Sequence, residues 1–339
     1  MTATPTSEQI SELADRLVQR DRRALAQAIT LVESTREDHR DQAAELLDLL
    51  LPHTGTAVRL GISGPPGAGK STFIQALGLH LISSEGARVA VLAIDPSSTQ
   101  SGGSILGDKT RMPQLAAHER AFIRPSPAGE SLGGIARRTR EVLLLCEAAG
   151  FDHVLVETVG VGQSETAVAG IVDTMALLLP PAAGDDLQGI KRGVMELADV
   201  VVATKADGAL LPAARAAAAD ARQGLALLRR RHPGWDPAVV LTSAHEGTGI
   251  DAVVEAVSAH RDHLRVTRQL ASLRRQQNIG WLLAEVNDGL LRAFRADAGA
   301  RAAMDAAEEA VRAGRTTPTA AARSLLARHP VVGEGRRPR

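Results

Sequence analysis

Residues 64–71 read GPPGAGKS and fit G-x-x-x-x-G-K-[ST] in full. An apolar run precedes them and a helix-length segment follows. Gly64, Pro65, Pro66, Gly67, Ala68 and Gly69 are read as a loop whose backbone N–H groups converge on phosphate oxygens, with glycine allowing the turn. Lys70 can reach the β- and γ-phosphates, Ser71 can ligate Mg²⁺, and Thr72 continues into a helix whose positive end faces the anion. A Gly/Pro turn alone would not need a strand before it and a helix after it.

A second run, HVLVETVGVGQSE from His153, ends an apolar strand in an acid, Glu157. At a strand end facing the phosphate loop, Glu157 can hold magnesium through a water. Gly160 and Gly162 would hinge the loop that follows. Gln163 could orient an attacking water, or it is an ordinary surface glutamine. A third run chooses the base. Thr204-Lys205-Ala206-Asp207 follows a strand and fits [NT]-K-x-D. Asp207 would accept from guanine N1–H and N2–H₂ while the Lys205 stem covers the ring. Adenine lacks those donors and would leave the carboxylate unpaired, so the pattern selects GTP over ATP. Thr242, Ser243 and Ala244 follow the last strand and suit a loop backing guanine with main-chain N–H groups. Between Ile94 and Met112 the chain runs from Asp95 through small polar residues to Asp108. Two acids flanking a Ser/Gly loop suit a switch closing on Mg²⁺ and the γ-phosphate, with Lys109 and Arg111 near phosphate. The metal set is therefore Ser71, Asp95, Asp108 and Glu157.

These residues need a frame. Short apolar runs begin at Val58, Arg88, His153, Thr174, Asp199 and Val239, with a weaker one at Ala121. Helix-length segments Ser71 to Ile82, Gly134 to Ala149 and Pro212 to Arg231 lie between them. Near-continuous apolar strands spaced by helices imply a mainly parallel sheet covered on both faces, the doubly wound α/β class. That class binds ligands at the carboxyl ends of its strands. Residues 1–55 read as a helical extension, opened by a capping box at Thr6 and Gln9. Residues 56–260 form the nucleotide domain and 261–330 a helical region, and the tail 331–339 is expected to be disordered. In the helical region Ile279, Leu283, Val286, Leu290 and Phe294 form an apolar stripe that needs a partner, either its own domain or a second copy.

Composition narrows the class further. The 339 residues carry 39 basic and 39 acidic side chains, so no charge excess points to nucleic acid or a membrane surface. Aromatics are only 2%, too few for base-stacking platforms. No apolar run is long enough to span a bilayer, and the N-terminus has no signal-peptide pattern. The single cysteine, Cys146, lies in an apolar helical stripe and reads as core. A reducing, cytoplasmic setting follows as the expectation.

The runs IDPSS, SGGSILGDKTRM, HVLVETVGVGQSE, GDDLQGIKRGVMELADV and TKADG together resemble the MeaB/ArgK-type GTPases. The resemblance extends from the N-terminal helices to RTTPTAAARSLLA. Thr204 departs from it, because the family more often has asparagine there. The resemblance implies a GTPase that binds an adenosylcobalamin-dependent acyl-CoA mutase, chiefly methylmalonyl-CoA mutase. Such a GTPase gates cofactor delivery and protects or reactivates the mutase. It also implies a homodimer through the C-terminal helices and a further switch at Gly184 to Gly193. There Asp185, Asp186 and Gln188 would meet the mutase, and Lys191 would swing to the γ-phosphate as a catalytic cation. Intrinsic turnover is expected to be slow and partner-activated. Two rivals are a nickel-inserting GTPase of the same fold and an ATP-dependent kinase linked to amino-acid transport. One cysteine and scattered histidines argue against the first, and TKAD against the second. A structural dimer with a dead nucleotide site conflicts with the intact GKS, Asp108 and Glu157.

Overall fold

A computed structural model describes residues 6–95, 111–127, 132–158, 164–181 and 192–328. They fall into two compact units, residues 1–274 and 275–339. The first begins with three amphipathic helices. In α1 (Ser7–Val18) the Thr6 hydroxyl accepts from the Gln9 N–H, and the Gln9 side chain accepts from the Thr6 N–H at 2.8 Å. This is the reciprocal cap that the sequence encodes. The Asp21 carboxylate caps α2 (Arg22–Glu33), and α3 (Glu37–Leu50) follows. Leu17, Leu25, Ile29, Leu46 and Leu50 are buried in the same cluster as Cys146 and Val156. The N-terminal helices therefore help complete one face of the sheet.

The remaining elements alternate. They are β1 (Val58–Ser63), α4 (Lys70–Glu85), β2 (Val89–Asp95), α5 (Pro113–Ala117), β3 (Ala121–Pro127), α6 (Leu132–Ala148) and β4 (His153–Glu157). Then come α7 (Ser164–Ala169), β5 (Thr174–Leu179), α8 (Arg192–Met195), β6 (Val200–Ala203), α9 (Leu211–Ala226), β7 (Ala238–Leu241) and α10 (Ile250–Val266). The seven strands are parallel and ordered β3-β2-β4-β1-β5-β6-β7. The weakest expected strand, at Ala121, is a full edge strand. Phe73, Ile74 and Leu77 of α4 and Ile250 and Val253 of α10 cover the second face. The doubly wound α/β class read from the sequence is what forms, and β1 lies between β4 and β5, where the chain order reverses. α10 runs unbroken through residue 260.

One expected helix is too long. The segment from Pro212 was expected to reach Arg231, but α9 stops at Ala226. Tertiary anchors hold the segment after it. Arg231 donates to Asp199 Oδ2 at 2.7 Å and to the Ala169 carbonyl at 2.9 Å, and the Trp235 indole donates to the Asp199 carbonyl at 2.9 Å. Pro233 also lacks the N–H that a helix would need there.

At the amino end of β1, Arg59 pairs with Glu147 of α6 through two bonds of 2.9 and 2.7 Å, and both side chains are buried. Glu147 also accepts from the Gly55 N–H at 2.9 Å. Removing one partner of such a pair strands the other charge in the interior. Glu147→Ala should therefore cost about 3–5 kcal/mol of stability, read as a lowered urea midpoint. A loss below about 1 kcal/mol would show that Arg59 finds water instead.

α11 (Gln269–Ala296) carries the chain into the second unit, followed by α12 (Ala298–Arg312) and α13 (Pro318–Arg328). Asp297 caps α12 by accepting from the Ala300 N–H at 2.6 Å. Most of the apolar stripe stays exposed, Ile279 at 57% and Leu283 at 58%, while Phe294 is half-buried. Leu290, Phe294, Met304, Val311 and Leu325 line an apolar cleft within this unit. The tail beyond 328 lies outside the described residues. No helix among the described residues is long and apolar enough to cross a membrane.

Candidate nucleotide site

The carboxyl ends of β1, β4, β6 and β7 bring four stretches together. β1 ends at Ser63 and α4 begins at Lys70, so residues 64–69 are the whole connection. Gly67 and Gly69 adopt φ of +78° and +84°, the left-handed region open to glycine. At Gly64 the reason is space, because a Cβ there would come within 2.7 Å of the Leu178 carbonyl. The loop thus hugs β5, and the Ala68 N–H closes its turn on the Pro65 carbonyl at 3.2 Å. Lys70 Nζ lies across it, donating to the Gly64 and Pro65 carbonyls at 2.7 and 3.3 Å. Burial pushes the Lys70 pKa down, and Glu157 and then Glu165 pull it back up.

Glu157 stands beside the loop because β4 pairs with β1, placing it opposite Ile62. The Ser71 hydroxyl donates to Glu157 Oε1 at 3.3 Å. A hydroxyl and a carboxylate this close, facing the phosphate loop, are hard oxygen donors of the kind Mg²⁺ takes. Glu165, at the start of α7, is the residue that sequence reasoning passed over. It is 2% exposed, and its Oε2 has no hydrogen-bond partner among the described residues. The sequence offered a weak signal, an acid eight positions after Glu157, which reads as a helix-start residue. Only the fold turns it toward Lys70.

The base-side residues meet at the ends of β6 and β7. The Thr204 hydroxyl lies 2.9 Å from the Ala68 carbonyl and 3.2 Å from that of Leu179, which ties this strand end to the phosphate loop. A bond from position 204 to the loop needs only a short side-chain donor, which threonine and asparagine both supply. Lys205 has φ of +55°, a left-handed conformation that costs a non-glycine residue about 1–3 kcal/mol and clusters at functional sites. Its stem runs beside Gly69. The Ser243 hydroxyl donates to Asp207 Oδ2 in a short bond, and the Ala206 N–H donates to the Thr242 carbonyl at 2.9 Å. Ala244 follows, and the Glu246 N–H returns to Ser243 Oγ at 3.1 Å. Gly249 closes the loop in the left-handed region, where a Cβ would fall 2.1 Å from the Leu241 carbonyl.

Gly64 to Thr72, Glu157, Lys205, Asp207, Thr242, Ser243 and Ala244 therefore all lie at the carboxyl ends of the strands. Asp95 ends β2, the neighbour of β4. Asp108, Gln163, Asp185, Asp186, Gln188 and Lys191 lie outside the described residues.

Comparisons with known proteins agree with this geometry. Residues 25–299 match the family described as methylmalonyl Co-A mutase-associated GTPase MeaB. A probable GTPase of Mycobacterium tuberculosis is 51% identical over 326 residues, which is 96% of this chain and 97% of that one. The Mus musculus protein named methylmalonic aciduria type A homolog, mitochondrial, is 45% identical over 327 residues, covering 94% of this chain and 79% of its own. A crystal structure of an LAO/AO transport system kinase superposes with a TM-score of 0.75 at 38% identity, covering 95% of this chain and 98% of that one.

Proposed function

Because the chain belongs to the MeaB family of methylmalonyl Co-A mutase-associated GTPases, and so is a P-loop GTPase that binds guanine nucleotide, we propose that it gates adenosylcobalamin loading onto an acyl-CoA mutase. Methylmalonyl-CoA mutase is the partner that the family description favours. The observation that carries the nucleotide part is the joined wall of Thr204, Lys205, Asp207 and Ser243, tied to the phosphate loop through Ala68.

Phosphoryl transfer to water needs positioning and charge neutralisation rather than a covalent intermediate. Lys70 and the backbone N–H groups of Gly67, Gly69, Lys70 and Ser71 would meet the phosphate oxygens, since Pro65 and Pro66 have no N–H and that of Ala68 is donated to the Pro65 carbonyl. Ser71 and Glu157, with Asp95 and Asp108, would hold Mg²⁺, which would supply charge neutralisation at the phosphates. Gln163 would orient the attacking water. Glu157 and Glu165 partly offset the burial that pushes the Lys70 pKa down, and so favour its ammonium form. Lys191 would reach the γ-phosphate only when the mutase docks on residues 184–193, so the free protein turns over slowly. Two copies would join through the apolar face of the second unit, where Ile279 and Leu283 stand exposed.

Lys191→Ala should cut mutase-stimulated hydrolysis about 100-fold while leaving GTP affinity within about twofold. Equal loss of both would remove its role as a delivered cation. The partner is tested by pull-down from native lysate with and without a non-hydrolysable GTP analogue. Nucleotide-dependent recovery of a cobalamin mutase is the expected result. Recovery of only a hydrogenase or urease would overturn the proposal in favour of metal insertion.

A further inference from the structure

At the amino ends of β5 and β6, away from the phosphate loop, three side chains from three stretches converge. Asp199 immediately precedes β6, His232 sits in the segment between α9 and β7, and His260 lies on α10. They are 1%, 7% and 0% exposed. His232 Nε2 lies 3.5 Å from Asp199 Oδ1, and His260 Nε2 lies 3.7 Å from the same oxygen. All three ligand atoms fall within 4.8 Å of one another. Neither Nε2 has a hydrogen-bond partner among the described residues.

The surrounding bonds select these atoms. Asp199 Oδ2 is taken by Arg231 at 2.7 Å and by the Met175 N–H at 2.8 Å, which leaves Oδ1 facing the two rings. His260 Nδ1 lies 2.8 Å from the Thr174 hydroxyl. An Nδ1–H donated to Thr174 leaves the Nε2 lone pair directed at Oδ1, the arrangement in which ligating histidines are held by an outer partner. Burial keeps both rings neutral, pushing His232 down to about 4 and His260 down to about 3. Separations of 3.5 and 3.7 Å are long for hydrogen bonds. They are close to the ~3.3 Å edge of a tetrahedron whose bonds are ~2.0–2.1 Å.

We propose that Asp199, His232 and His260 bind a divalent transition-metal ion of the zinc class, distinct from the nucleotide's Mg²⁺ site. Two imidazoles and one carboxylate suit Zn²⁺ and Co²⁺. The Arg231 guanidinium works against any dication, so affinity rests on nitrogen ligation, and Mg²⁺ should not compete. The ion would pin β6, the segment after α9 and α10 to one another.

Trp235 provides the readout, because its ring centroid lies 4.9 Å from that of His260. The chain has two tryptophans, so Trp281→Phe leaves Trp235 as the sole emitter. Co²⁺ is titrated into the 339-residue Trp281→Phe protein with GDP and excess Mg²⁺ present. The expected result is quenching that saturates at one equivalent, visible ligand-field bands, and reversal by Zn²⁺. His232→Gln should weaken Co²⁺ binding at least about 100-fold while GDP binding and circular dichroism stay unchanged. Asp199→Asn serves as the second variant should His232→Gln fail to fold. Absence of saturable quenching, or equal Co²⁺ affinity in a folded variant, overturns the site.

Discussion

Asp207→Asn should lower GDP affinity about 100- to 1000-fold and raise affinity for xanthosine diphosphate. The carboxylate can accept from guanine N1–H and N2–H₂ together, while asparagine offers one acceptor and one donor. Its amide N–H would then face the N2 amino group, donor against donor, with a buried polar group left unpaired. Xanthine carries a carbonyl at C2, so the same amide N–H gains an acceptor there. Ser243, which donates to Asp207 Oδ2, holds the side chain in place for either base. Titration of the purified variant with GDP, ADP and xanthosine diphosphate decides the matter. Unchanged GDP affinity would remove Asp207 from base recognition. ADP binding by the unsubstituted protein would revive the kinase reading.

Lys70→Ala should reduce single-turnover GTP hydrolysis about 100- to 1000-fold, the usual loss when one donor to developing transition-state charge is removed. The substitution also leaves Glu157 and Glu165 without their shared cation. Their repulsion should persist in the ligand-free variant, and Glu165→Gln added to Lys70→Ala should recover part of the stability lost without recovering hydrolysis. That split separates the structural share of Lys70 from its catalytic share. Hydrolysis within about fivefold of the unsubstituted protein would place the phosphate charge on other groups.

The class of the fold and most of the nucleotide edge were legible because they are local patterns. A strand, a glycine loop and a helix follow one another at Val58 to Glu85, and the TKAD and TSA stretches each follow their own strand. What escaped reading depends on long-range packing. The last turns expected of α9 are lost to contacts with Asp199, which leads into β6, and with Ala169, which ends α7. Glu165 reads as a helix-start residue until β1, β4 and α7 turn it toward Lys70. The histidines look scattered along the chain, yet His232 and His260 meet at one carboxylate, because α10 folds back along the sheet to Thr174. No local period encodes such a meeting.

The place of β1 between β4 and β5 also sets a timetable for synthesis. Val58 pairs with His153, and Leu60 pairs with Thr174. Nothing translated before β4 can pair with the strand that leads into the phosphate loop. At about 5–20 residues per second, a ribosome carries that strand unpaired for on the order of ten seconds. The base wall waits longer still, for Ser243 and Gly249. A nascent chain thus acquires its grip on guanine only when nearly the whole first unit has been made. Premature termination would release a fragment with bare strand edges, a natural client for chaperones rather than a partial switch.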